Sequence, residues 1–180
     1  MAELSFSLLD HTDSGAVAQY ERSLFRAFYP HYNQMFPLIW RIDRKERRLC
    51  SCIPYSDQDI IVGRLNGTII AGAAINYAVH KRMQAEMLGF SIDKSQTGIC
   101  EGRALFSLQI LAGGVSVLAN MGEFAYTYLD RRHIEKVYGT CSPKMLRGYR
   151  SLGFNVIGEG VVAQQRLYLL EKLVESPFPK

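Results

Sequence analysis

Residues Gly98 to Arg131 read GICEGRALFSLQILAGGVSVLANMGEFAYTYLDR, and more of the architecture follows from this run than from any other. Ile99 to Leu108 reads as a strand and Gln109 to Gly114 as a tight, glycine-ended loop. Val115 to Arg131 reads as a helix whose Leu118, Met121, Ala125 and Tyr128 share one apolar face. Strand, glycine loop and helix in that order suit a phosphate. Glycines let the backbone approach the anion, and the N–H groups of the first helical turn point at it. The same order also arises wherever a strand–helix junction needs a glycine only for its turn.

Alternation along the strand puts Cys100, Gly102, Ala104, Phe106 and Leu108 on one face. Ile99, Glu101, Arg103, Leu105 and Ser107 fall on the other, unless a bulge intervenes. Glu101 and Arg103 therefore project together from an otherwise apolar strand. Two charges in an interior must be paired, neutralised or used. They form either a structural ion pair or a site in which the carboxylate accepts a proton.

Downstream, Lys136 to Cys141 reads as a short strand. SPKMLRGYRSLGF follows, with Ser142 suited to cap a helix, Pro143 to its first position and Gly153 to its left-handed end. Met145, Leu146, Tyr149 and Leu152 make its apolar face. Two closing strands are expected, Phe154 to Ile157 and about Gln164 to Leu173.

Upstream, Asp13 or Ser14 can cap a helix to about Tyr29, with Val17, Tyr20, Leu24 and Phe28 as its stripe and Pro30 as its stop. A second helical stretch carries Arg41, Arg44, Lys45, Arg47 and Arg48 against only Asp43 and Glu46. This is a solvated helix face or a docking patch for an acidic partner. Asn66-Gly67 joins two strand-like runs between Asp59 and Val79, and both residues tolerate the positive φ of a type I′ hairpin. Glu86 to Ile92 alternates as a further strand. The 180 residues, 48% of them hydrophobic, suffice for one domain with a full core. No window approaches the roughly 18 apolar residues of a membrane span, and no secretory signal opens the chain, so a cytoplasmic protein is expected. The four cysteines contain no C-x-x-C pair and read as reduced thiols. A net charge of +4 does not indicate nucleic acid. The element order calls for a mixed sheet with helices on both faces.

This order, the glycine loop and Tyr149-Arg150-Ser151-Leu152-Gly153-Phe154 together resemble the GNAT acyltransferase superfamily. CSPKMLRGYRSLGFNVIG is most similar to the branch of long-chain N-acyl amino acid synthases and acyl-homoserine lactone synthases. The resemblance implies an α/β (α+β) fold: a mixed, mostly antiparallel sheet of six or seven strands, splayed between the Ile99–Leu108 and Lys136–Cys141 strands. It implies an N-acyltransferase whose acyl thioester, on coenzyme A or on the phosphopantetheine of an acyl carrier protein, lies in that gap, with no metal. Glu101 matches the base that deprotonates a small amine such as an amino acid, with Glu86 in reserve, and Tyr149 matches the acid that protonates the thiolate. The donor falls to Phe106, Leu108, Gln109, Leu111, Ala112, Gly113, Gly114 and Val115. Arg131, Arg132 and Lys144 are expected near its entrance, and Arg41, Arg44, Lys45, Arg47 and Arg48 as a carrier-protein surface. Ala112 stands where the family's loop has its first glycine, and a β-carbon there hinders approach to a pyrophosphate. A carrier protein's arm, with one phosphate and no nucleotide, is less affected. AGAAIN lacks the arginine expected in both synthase groups, and the N-terminal Arg, Phe and Trp pattern of the lactone synthases is not matched by Arg26, Phe28 and Trp40. An ordinary acetyl-coenzyme A-dependent acetyltransferase and a catalytically silent binding domain are the alternative readings.

Overall fold

A computed structural model describes residues 3–112 and 114–174. In chain order the elements are β1 (Leu4–Leu8), α1 (Ser14–Phe28), α2 (Phe36–Ile39), β2 (Trp40–Asp43), β3 (Arg48–Ser51), β4 (Gln58–Leu65) and β5 (Thr68–Asn76). Then come α3 (Gln84–Met87), β6 (Ile99–Ser107), β7 (Leu111–Ala112), β8 (Val115–Ser116) and α4 (Val117–Arg131). The chain closes with β9 (Lys136–Cys141), α5 (Pro143–Ser151), β10 (Asn155–Val162) and β11 (Gln165–Leu173). Seven strands form one sheet in the order β1-β4-β5-β6-β9-β11-β10, antiparallel except where β6 meets β9. The mixed, mostly antiparallel sheet expected from the sequence is present, with α1 on one face and α4 and α5 on the other.

Local chemistry explains the elements that the sequence disclosed. Asp13 accepts from the amides of Gly15 and Ala16 and so caps α1. Asn66 and Gly67 both take positive φ, 49° and 80°, and turn β4 into β5. Gly153, at φ 85°, ends α5 after Leu152. The faces of β4 alternate: Ile60 and Val62 pack with Tyr20, Leu24 and Phe106 under α1, while Ile61 packs with Val117, Met121 and Leu129 of α4.

Three expectations are corrected. Residues 86–92 are not a strand. Gln84–Met87 is a helical turn, held by Glu86, which accepts from the Met83 amide, and by Glu101, which accepts from the amides of Gln84 and Ala85. The seventh strand is instead β1, whose Leu4, Phe6 and Leu8 alternate beside β4. The basic stretch is not a helix face: β2 and β3 form a hairpin whose turn is nucleated by Asp43 accepting from the Glu46 amide, with Arg47 at φ 53°. Finally, β6 is bulged. Ala74 pairs with Arg103 but Gly72 with Phe106, so Ala104 and Leu105 oppose Ala73 alone, and Ala104 takes φ 53°. Beyond that point the faces exchange: Phe106 and Leu108 join the α1 core, and Leu105 turns to the α4 side.

Gly72 sits where β5 passes beneath two rings. A β-carbon there would lie 2.7 Å from Phe106 Cε1 and 3.1 Å from Tyr20 Cε2, both in the buried core. Gly72→Ala should therefore lower stability by about 1–3 kcal/mol through overpacking, read as a lower urea midpoint with an unchanged denaturant slope.

Candidate active site

β6 and β9 run parallel for only three residue pairs, Ile99 with Lys136, Cys100 with Val137 and Glu101 with Tyr138. Gly102 to Ser107 of β6 and Gly139 to Cys141 of β9 then have no partner across that side, while β9 stays paired with β11 throughout. The sheet is thus splayed at the expected place. Glycine faces glycine at the apex, where a β-carbon on Gly139 would lie 3.3 Å from the Gly102 carbonyl oxygen.

On the α4–α5 face the gap opens into an apolar cavity of about 140 Å³. Small residues of both layers, Ala73, Ala74, Gly102, Gly122 and Ala125, leave the space, and Leu105, Met121, Val137 and Tyr149 close it. A cavity with so largely apolar a lining suits an apolar group. Tyr149 meets Phe154 edge-on, with centroids 5.4 Å apart. Burial, and after it the Cys141 thiol, push its phenol well above the usual tyrosine range. Helix α5 has no fully buried residue: of the apolar face read from its sequence, Tyr149 and Leu152 line this cavity, while Met145 is half exposed.

On the α1 face the gap is covered by residues 79–92. Val79 and Met83 pack on Ile99 and Tyr138, one from each wall. Gln84 spans both strands, its backbone amide on Glu101 of β6 and its side-chain nitrogen 3.4 Å from Thr140 Oγ1 of β9. Glu101 is 1% exposed and accepts three hydrogen bonds, from the Gln84 and Ala85 amides at 2.8 Å each and from Asn76 Nδ2 at 3.3 Å. A carboxylate has about four acceptor positions, so one remains. Arg103 does not pair with it: among the described residues no ion pair involves Arg103. Its guanidinium lies 5.6 Å from the Trp40 ring centroid, and Nη1 donates to Ser51 Oγ at 3.0 Å. Burial lowers its pKa, which the Glu101 charge partly restores. Glu86 sits at the third position of α3, 2.7 Å from Lys94 Nζ, and serves as a cap.

The expected donor residues divide. Phe106 and Leu108 are turned away from the cavity by the bulge. Gln109, Leu111 and Val115 are exposed, Ala112 is buried against the α4 core, Gly114 takes φ 85°, and Gly113 lies outside the described residues. The loop does not form an open cradle: Ala112 pairs with Val115 and Leu111 with Ser116 in a minimal hairpin. Two first-turn amides of α4 are occupied, Val117 by the Ile110 carbonyl and Ala119 by Ser116 Oγ. Arg131 and Arg132 sit at the far end of α4, roughly 22 Å from this loop for a helix of that length. Arg132 is held there by Asp59 and by the rings of Tyr77 and Tyr128. Lys172 lines the cavity, its Nζ donating to the Leu152 carbonyl, and Lys144, Arg147 and Arg150 of α5 are exposed. Leu105, Gly122 and Ala125, which sequence reasoning did not select as site residues, are among those lining the cavity. Only the small size of the last two, on a helix face, carried a signal. Burial raises Cys141 to about 11 and Cys100 to about 12, so neither thiol is a ready nucleophile.

No family model matches the chain, and no curated protein matches its sequence. Solved structures do match its fold. The acyl-homoserine lactone synthase LasI aligns with a TM-score of 0.69 at 9% identity, over 98% of this chain and 91% of its own. BjaI, a coenzyme A-dependent acyl-homoserine lactone synthase solved with SAM and isopentyl-CoA, aligns at 0.74 and 12% identity, over 97% and 84%. FeeM, an N-acyl amino acid synthase from uncultured soil microbes, aligns at 0.59 and 14% identity, over 97% and 92%. By architecture, the chain has the GNAT acyltransferase fold that its sequence resembles, in the form adopted by acyl-homoserine lactone and N-acyl amino acid synthases.

Proposed function

We infer that the chain is an N-acyltransferase that moves a fatty acyl group from a thioester to the amine of a small acceptor such as an amino acid. The observation that carries this reading is the splayed sheet with unlike faces. An apolar cavity bordered by Tyr149 lies on one side, and a buried carboxylate lies on the other. The acyl chain occupies the cavity and the amine approaches from the Glu101 side, so the thioester carbonyl sits in the gap. The amine nitrogen bonds to the carbonyl carbon and gives a proton to Glu101, directly or through water. An unpaired N–H of β6 steadies the oxyanion. The carbon–sulfur bond then breaks, and Tyr149 supplies the proton that the thiolate takes up. Direct attack fits the protonated state of Cys100 and Cys141. A cavity of this size exceeds what an acetyl group fills, which favours a longer chain over acetyl transfer.

For the donor's carrier, the self-paired glycine loop and Ala112 favour a phosphopantetheine arm over a coenzyme A pyrophosphate. Lys144, Arg147 and Arg150, exposed on α5, and Lys172 in the cavity lining are candidate cations for an acidic carrier protein. Arg41, Arg44, Lys45 and Arg47, exposed on the β2–β3 hairpin of the other face, are a second candidate surface, whereas Arg48 is paired with Glu21 and Asp43.

Glu101→Gln replaces an acceptor by a donor facing a backbone N–H. Turnover should fall about 10²–10⁴-fold. Stability should fall by about 1–3 kcal/mol from the unpaired amide. Near-wild-type acyl transfer would remove Glu101 from the chemistry and leave it as the anchor of α3. The raised pKa of Tyr149 keeps the phenol protonated past its ordinary value of about 10. The pH–rate profile should therefore show no basic limb from this group below about pH 10, and Tyr149→Phe should cost less turnover than Glu101→Gln. A limb near neutrality that Tyr149→Phe abolishes would overturn the assignment. Gly122 lines the cavity, and a β-carbon placed on it would meet nothing within 4 Å. Gly122→Leu should therefore fold at least as well as wild type while excluding long acyl chains. Thiol release from a ladder of acyl thioesters should shift to short chains, and an unchanged ladder would move the acyl chain out of this cavity.

A further inference from the structure

β6 and β9 run parallel, so their C-terminal ends share one edge of the sheet, the edge toward which the gap opens. Helices α4 and α5 both start there. The turn from β10 to β11 joins them, since Tyr168 of β11 pairs with Cys141 at the end of β9. Apolar side chains are concentrated at this edge. Ile110 is 86% exposed and Val161 73%, the two most exposed of the large apolar side chains among the described residues. Leu111, Val115 and Met145 stand beside them, each about half exposed. Leu118 is partly exposed and also lines the cavity, so the apolar patch reaches the cavity wall. Exposed apolar side chains gathered in one place mark an interaction surface.

The charge at this edge has one sign. Lys144, Arg147 and Arg166 are exposed, and none of them is in an ion pair among the described residues. Segments 107–118, 142–153 and 161–167 contain no carboxylate; the next in sequence are Glu123, further along α4, and Glu159 on β10. Two kinds of partner offer negative charge together with apolar contact, an acidic protein and an anionic bilayer. The patch fits the bilayer better. Leu111 and Val115 belong to the β7–β8 hairpin and Ile110 leads into it, and that hairpin pairs with itself and not with the main sheet. A separate hairpin with apolar side chains suits a phase that it can enter, and cations beside it suit the phosphates at the boundary of that phase. We propose that this edge docks on an anionic lipid bilayer. Ile110, Leu111 and Val115 enter the boundary between headgroups and acyl chains, and Lys144, Arg147 and Arg166 lie against lipid phosphates. The gap then opens at the interface, where long-chain thioesters and N-acyl products partition. That placement leaves the β2–β3 hairpin for a carrier protein. The docking does not depend on the acyl-transfer reading.

The test floats the full chain with vesicles of phosphatidylcholine alone and of equal parts phosphatidylcholine and phosphatidylglycerol. Each cation near an anionic surface contributes roughly fivefold to partitioning, so three should favour the mixed vesicles by roughly 100-fold at low salt. The difference should shrink as salt is raised. Lys144→Gln combined with Arg166→Gln should weaken binding to mixed vesicles roughly 25-fold. Ile110→Ser should weaken it roughly 10-fold or more. The unfolding temperature of Ile110→Ser should match the wild type, because the side chain it removes is almost wholly exposed. Ile110→Trp reports entry into the lipid: its emission should shift to the blue when mixed vesicles are added, against a constant signal from the buried Trp40. Equal binding to both kinds of vesicle would overturn the proposal, as would an Ile110→Ser variant that floats like the wild type. Flotation of Ile110→Trp without a shift in emission would reduce the contact to adsorption by charge and would also overturn it. A protein that floats with neither vesicle, while the same substitutions weaken a complex with an acyl carrier protein, would give the edge to that partner instead.

Discussion

Backbone N–H and C=O groups must find partners, and β6 and β9 satisfy each other only as far as Glu101 and Tyr138. Beyond that pair both strands continue, held from outside by β5 and β11, with a widening space between them. Most of the remaining structure can be understood as what surrounds this opening. Residues 79–92 cover it on one face, α4 and α5 roof it on the other, and glycines at 102 and 139 let the walls meet at the apex. An intact ladder would have left a continuous sheet with no passage between its faces.

The cover over the opening depends on one side chain. Residues 84–87 make a single helical turn, too short to persist on its own propensity, and its leading amides are satisfied by Glu101 from a strand 16 and 17 residues later in the chain. The same carboxylate that would take a proton from an amine therefore also fixes the segment that delimits the amine's space. Function and local folding are coupled through two hydrogen bonds.

Much of this was legible in the sequence because it rests on local rules. Asn66-Gly67 dictates its own turn, Asp13 and Gly153 mark helix ends, and Lys136 to Cys141 is a strand to the residue. What could not be read depends on distant partners. Leu88, Phe90 and Ile92 alternate as a strand would, yet residues 83–90 bond within a local turn and to Glu101, which no nearby residue announces. Alanine has no preference for positive φ, so nothing in the sequence marked Ala104 as the bulge that turns Phe106 and Leu108 away from the cavity. Glu101 and Arg103 on one face were legible, because both precede the bulge. That they do not pair was not, because it depends on Trp40 and Ser51 drawing Arg103 aside.

That bulge also bears on how related chains should be compared. Two residues of β6 do there what one residue of β5 does opposite them, so the strand absorbs a surplus residue without moving either end. The number of positions between the buried acid and the start of α4 is accordingly not fixed by the architecture. A relative with an unbulged strand can present the same walls with one residue fewer. A sequence pattern that ties the acid to the glycine loop at constant separation would miss it, and alignment here should be anchored on the paired residues on either side of Ala104 rather than on uninterrupted spacing.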